Sequence, residues 1–195
     1  MTTPFKKGIG FACAKELLDF GASVIICSRS ADSVNHSVDL LKAHCDSQAQ
    51  TVVGYVCDVS TRQGRSTLKD AVVNNFGGRL DCLVNNVGTN KRAPIEDSTE
   101  EDYEVMMKSN LDSCFFLCKI FSENLSKSNG CVVNIASVAG VSSSGTGSIY
   151  AATKGAMIQL TRALACEWGA RNVRVNCVAP WMTYTPLLKE ATRSD

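Results

Sequence analysis

At 195 residues the chain has room for one domain, spanning residues 1–195, with a substantial core. Its residues are 45% hydrophobic and 20% charged with a formal net charge of +1, so composition gives no reason to expect nucleic acid or a membrane surface as partner. No stretch approaches the ~20 apolar residues of a membrane span, and the opening MTTPFKKGIG lacks the apolar centre of a signal peptide, so the expected compartment is the cytoplasm.

In chain order, a helical period runs from Gly8 to Phe20 and stops at Gly21, a suitable C-cap, before the β-branched run Ser23 to Cys27. The unit then repeats: helix from about Ala31 to Cys45, strand Thr51 to Cys57, helix Thr61 to Phe76, turn Gly77-Gly78, strand Asp81 to Val84. Ser60 with Gln63 predicts a capping box at the third helix. Ser98 with Glu101 predicts another, opening one long helix to about Leu125. Strand Cys131 to Ala136, helix Ser148 to Trp168 and strand Val173 to Val178 complete the series. Strands that are continuously apolar and joined by helical crossovers predict a doubly wound α/β fold, a Rossmann-like parallel sheet covered on both faces.

The ten cysteines are scattered, several of them inside the apolar runs, which suits a reducing compartment better than a disulfide framework. There is no Cys-x-x-Cys pair and neither His36 nor His44 stands at zinc spacing, so no metal is expected.

In a sheet of this class ligands bind at the carboxyl ends of the strands, with a dinucleotide pyrophosphate on a glycine turn at the first helix. Gly8-Ile9-Gly10 is the candidate turn. About twenty residues on, where an NAD enzyme places an acid for the ribose 2′-hydroxyl, stands Arg29. With Ser28 as a hydroxyl donor and Lys7 as a second cation, the preference is for a 2′-phosphate, hence NADP(H) over NAD(H). A solvated Arg29 is the alternative.

Tyr150 and Lys154, four apart, share a helix face, where an ammonium can lower the pKa of a phenol. Ser137 ends the strand Cys131 to Ala136 and faces the same cleft, with a simple turn serine as its alternative.

Four motifs together resemble the classical short-chain dehydrogenase/reductase family: Asn85-Asn86-Val87-Gly88, Asn134-Ile135-Ala136-Ser137, Tyr150 with Lys154, and Arg174-Val175-Asn176 ahead of Val178-Ala179-Pro180. The run YAATKGAMIQLTRALACEWG and Pro180-Trp181 resemble its tropinone-reductase-like branch. The resemblance implies Tyr150 as acid/base, Ser137 as orienter of the substrate carbonyl, Lys154 as ribose ligand and acidifier of Tyr150, and Asn110 as support of a proton relay. It places Asp58 and Val59 at the adenine, Asn86 and Gly88 on the cofactor wall, and Pro180, Thr183 and Thr185 at the nicotinamide end, with capping or turn roles as alternatives for Asp58, Asn86, Gly88 and Thr185. The implied substrate is a small-molecule ketone or secondary alcohol. The implied assembly is a homodimer or homotetramer through the helices carrying Asn110 and Tyr150.

Three departures stand beside this. Pro4 occupies the place of a glycine in the turn, no apolar strand feeds Gly8, and the family usually continues for some fifty residues past the position of Asp195. The first strand is normally central, so two ladder edges are expected to stand unpaired. The competing reading is a shortened relative with impaired cofactor binding, persisting as a non-catalytic interaction module or an incomplete gene product.

Overall fold

The computed structural model describes residues 8–45, 49–143 and 145–185. Helix α1 (Ile9–Asp19) leads to β1 (Val24–Ser28), α2 (Ala31–Lys42), β2 (Val52–Val56), α3 (Arg62–Phe76) and β3 (Cys82–Asn85). Helix α4 (Glu100–Met106), a π-helical segment (Met107–Asp112) and α5 (Ser113–Ser128) follow, then β4 (Cys131–Ile135), α6 (Ser148–Gly169) and β5 (Arg174–Val178).

Local chemistry sets the boundaries. The Ser30 hydroxyl accepts from the Ser33 N–H to start α2, with Asp32 in its first turn and Lys42 in its last, both complementing the helix dipole. Helix α3 stops at Gly77 and α5 at Asn129, each in the left-handed region (φ 60° and 52°), which glycine enters without a Cβ clash and asparagine tolerates better than most residues.

Neither expected capping box forms, and each helix is capped one residue later. Thr61, not Ser60, caps α3 by accepting from the Gly64 N–H at 3.0 Å, because the Ser60 N–H is taken by Asp58 Oδ1 at 2.9 Å. Thr99 with Asp102, not Ser98 with Glu101, forms the complete box at α4, because the Ser98 hydroxyl donates to the Pro94 carbonyl at 2.9 Å and closes the preceding turn. The single long helix expected after it is broken by the π-helical segment.

All strand pairs are parallel, in the α/β Rossmann-like class the sequence indicated. Side chains of β1 alternate between two helix layers: Val24 and Ile26 pack with Ala14, Leu18 and Leu41, whereas Ile25 and Cys27 meet the larger core around Leu68, Phe121 and Leu125. The strands form two sheets, β1-β2 and β3-β4-β5. Among the described residues no strand bridges β1 and β3, and the core divides accordingly into a small cluster beside β1-β2 and a large one around β3-β4-β5.

Candidate active site

The carboxyl ends of the strands carry the candidate residues. Ser28 and Arg29 follow β1, Asp58 and Val59 follow β2, Asn86 and Gly88 follow β3, Ser137 follows β4, and Pro180 follows β5.

Ser137 caps a short 3-10 turn (Val138–Gly140) by accepting from the Ala139 N–H at 3.2 Å. That turn is anchored on both sides. The Val138 N–H donates to the Pro180 carbonyl at 3.1 Å, and Gly140 lies so close to α6 that a Cβ there would sit 2.6 Å from the Lys154 carbonyl carbon. Gly155 presents the complementary gap, with Gly140 O at 3.4 Å from its own would-be Cβ. Neither glycine figured in the sequence reading. A glycine inside a helix costs roughly 0.5–1 kcal/mol relative to alanine, so Gly155 within α6 was a legible signal of close packing.

The contact brings Ser137 beside the half-buried phenol of Tyr150, close enough for its hydroxyl to favour the phenolate. Lys154 is 3% exposed, its Nζ donating to the Ile135 carbonyl at 2.8 Å and lying 5.7 Å from the centre of the Tyr150 ring. Burial lowers the Lys154 pKa to about 8. Burial likewise pushes the Tyr150 phenol above its ordinary value, against a smaller opposing pull from Ser137. Desolvation is thus the larger influence on the Tyr150 phenol, and the Lys154 ammonium is directed at a backbone carbonyl.

Asn110, fully buried in the π-helical segment, accepts from the Thr89 N–H at 2.8 Å and donates to the Thr89 carbonyl at 3.0 Å and the Thr153 hydroxyl at 3.1 Å. It thus ties the loop after β3 to α6 one residue before Lys154. Gly88 makes room for this: a Cβ there would stand 3.4 Å from both Asn110 Oδ1 and Lys154 Nζ. Sequence reasoning placed Gly88 on a cofactor wall but missed its close approach to Asn110 and Lys154, as it missed Thr89 and Thr153. Beneath them runs a buried polar ladder, Asn85 Nδ2 to Asn134 Oδ1 at 2.9 Å and Asn134 Nδ2 to the Thr161 hydroxyl at 2.9 Å, holding β3, β4 and α6 in register.

On the cofactor side, Gly8 is the extended N-cap of α1, with no side-chain cap and open space where a Cβ would be. Ile9 and Gly10 open that helix, so its first N–H groups and positive dipole end suit a phosphate. Lys7 and Pro4 lie outside the described residues. Arg29 is exposed at the end of β1, while the Ser28 hydroxyl accepts from the Ser30 N–H at 3.1 Å. Asp58 closes the turn into α3, and Val59 directs its side chain into the core. Thr183 is exposed and its hydroxyl donates to the Trp181 carbonyl, whereas Thr185 is half-buried. Among the described residues no cluster of metal-ligating side chains occurs, and no helix is long and apolar enough to cross a membrane.

The family model for short chain dehydrogenases matches residues 2–195. A tropinone reductase homolog of Arabidopsis thaliana is 44% identical over 97% of this chain, which spans 70% of that relative. An actinorhodin polyketide ketoreductase solved with NADPH superposes with a TM-score of 0.89 at 25% identity, over 99% of this chain and 74% of its own. An NAD+-bound xylitol dehydrogenase gives 0.87 at 27% identity, over 97% and 72%.

Proposed function

The chain belongs to the short chain dehydrogenase family of oxidoreductases, and on that premise we propose that it is an NADP(H)-dependent enzyme interconverting a ketone and a secondary alcohol, with Tyr150 as acid/base. The observation that carries this reading is the juxtaposition of Ser137 and Tyr150 beside the buried Lys154.

The residues at the strand ends fit the cofactor. The open α1 N-terminus at Gly8, Ile9 and Gly10 would hold the pyrophosphate, and the cationic Arg29 with Ser28 favours a 2′-phosphate over a bare ribose. Asp58, Val59, Asn86, Gly88, Pro180, Thr183 and Thr185 would line the remainder. When bound, the nicotinamide supplies or takes the hydride.

The chain's own residues handle the proton. Ser137 hydrogen-bonds the substrate oxygen, orienting its carbonyl toward Tyr150, and Tyr150 donates its phenolic proton to that oxygen as negative charge develops. In the reverse direction the phenolate accepts the alcohol proton. Lys154, positively charged below about pH 8, lies one helical turn away and stabilises the phenolate. Asn110 fixes the loop after β3 against α6, which keeps Lys154 and Tyr150 in place.

The test follows NADPH absorbance with a panel of cyclic ketones. Turnover is expected with at least one, falling about 10²- to 10⁴-fold in Tyr150→Phe. Undiminished turnover in that variant would overturn the assignment.

Assembly as a homodimer or homotetramer completes the reading. Tyr103, Val105 and Phe115, on the helices flanking Asn110, are about half exposed and offer the apolar surface such an interface uses. Light scattering should give a mass of two or four chains, and a monomer at micromolar concentration would contradict it.

A further inference from the structure

Between β2 and α3 the chain turns through Asp58, Val59, Ser60 and Thr61, and two successive peptides of that turn are held at both ends. The Ser60 N–H donates to Asp58 Oδ1 at 2.9 Å, while the carbonyl of the same peptide, that of Val59, accepts from Arg65 Nη1 at 2.8 Å. In the next peptide the Thr61 N–H donates to the Asp58 carbonyl at 3.1 Å, and the Ser60 carbonyl accepts from the same Arg65 nitrogen at 2.8 Å. The Asp58 carbonyl also takes the Thr61 hydroxyl at 2.8 Å. Gly64 presses the first turn of α3 against this backbone, since a Cβ there would overlap the Asp58 carbonyl.

Arg65 forms no ion pair among the described residues. Its half-buried guanidinium lies over the Phe116 ring of α5, 4.7 Å from the ring centre. A cation spent on two neutral carbonyls and a ring gives up water without the return of a salt bridge. What it gains is geometry: the turn after β2 is seated against the helix that follows Asn110.

Among the described residues, the held turn leaves open the Val59 N–H and the second carboxylate oxygen of Asp58. The Val59 side chain is buried in the larger core, so only its main chain is available to a ligand. A donor beside an acceptor matches one edge of adenine, whose N1 accepts and whose amino group donates. We propose that Arg65 is a positioning residue for the adenine of the cofactor, holding the turn so that Asp58 accepts from the amino group while the Val59 N–H donates to N1. This role rests on the nicotinamide-cofactor reading, which supplies the adenine.

Titration calorimetry of the full chain with NADPH and with its hypoxanthine counterpart, in which O6 accepts and N1–H donates, reads that edge directly. NADH and its hypoxanthine counterpart are run beside them. Wild type is expected to favour adenine by about tenfold or more, and Arg65→Met to bring the ratio to within about twofold of one. In the cofactor-free variant the Ser60 and Thr61 amides should exchange faster while β4 keeps its protection. Arg62→Met, which removes an exposed charge from the same turn of α3, should leave the ratio unchanged. Should Arg65→Met not fold, Arg65→Gln, which puts no apolar tip in the turn, is read on the same ligands with the same expectation.

Three results overturn the role of Arg65 and leave the cofactor reading standing: a wild type that binds the dinucleotides without preferring adenine, a preference that survives loss of the guanidinium, or an equal fall in Arg62→Met. A wild type that binds none of the dinucleotides overturns the cofactor reading itself, and this role with it.

Discussion

The two halves of the molecule are held together by different chemistry. Around β3-β4-β5 the core is threaded with polar groups: Asn85, Asn110, Asn134, Thr153, Lys154 and Thr161 are all buried and hydrogen-bonded. Beside β1-β2 the small core is built from Ala14, Leu18, Val24, Ile26, Leu41 and Val52, and little polar lies buried near it beyond Ser28 and Ser37. Buried polar networks fix one geometry at the risk of a large penalty if any member is lost, whereas an apolar cluster tolerates adjustment. The half that carries the proposed reacting groups is the specified one, and the half proposed to meet a cofactor's phosphates is the adaptable one.

That contrast can be broken at its cores. Leu18→Ala and Leu125→Ala each empty a fully buried site, one in each core, and each should cost about 2–5 kcal/mol. The costs should be distributed differently. In amide exchange, Leu18→Ala is expected to expose β1 and β2 while β4 keeps its protection, and Leu125→Ala to lower protection throughout. Uniform loss in both variants would show a single cooperative core.

Gly140→Ala sharpens the contrast from the specified side. The new methyl meets α6 backbone that cannot yield locally, so the turn carrying Ser137 must lift, at about 1–3 kcal/mol by denaturant melts. Turnover should fall further than stability explains. The same exchange at Gly8, where a Cβ meets nothing within 4 Å, should leave the melt nearly unchanged.

The smallest expected effect is a pH signature. Lys154 titrates at about 8 in the folded chain against 10.5 ordinarily, so the unfolded chain binds more protons between those values and stability rises with pH across that window. The contribution is complete above 10.5 and is lost as pH falls through 8. Between pH 7.5 and 9, wild type should gain about 1 kcal/mol relative to Lys154→Met, a difference that cancels the titration of the buried thiols common to both. A flat difference would show that the ammonium is not desolvated.

The residues proposed as catalytic stand out in the sequence because each ends or punctuates an element: Ser137 after β4, and Tyr150 with Lys154 at helical spacing. Their alternation of strand and helix also gave the fold class. What the sequence hid depends on contact at distance. Gly140 meets Gly155, and Asn110 reaches Thr89, through approaches that no local pattern encodes. The π-helical segment was missed because its apolar spacing reads as continuous helix. The caps moved by one residue because neighbouring hydroxyls and carboxylates compete for the same N–H groups, which composition cannot arbitrate. The groove between the two sheets of described strands depends on helices that approach from both faces.

The π-helical segment also sets a phase. One extra residue between α4 and α5 turns everything after it by about 100° relative to an uninterrupted α-helix. With that offset Cys114, Leu117, Cys118 and Phe121 face the core, and Phe115 is left outside at 45% exposure. The turn that carries Asn110 is therefore also the gear that aligns the next helix. Residue count through this stretch is constrained twice over, by the chemistry at one position and by the core face of the sixteen residues that follow.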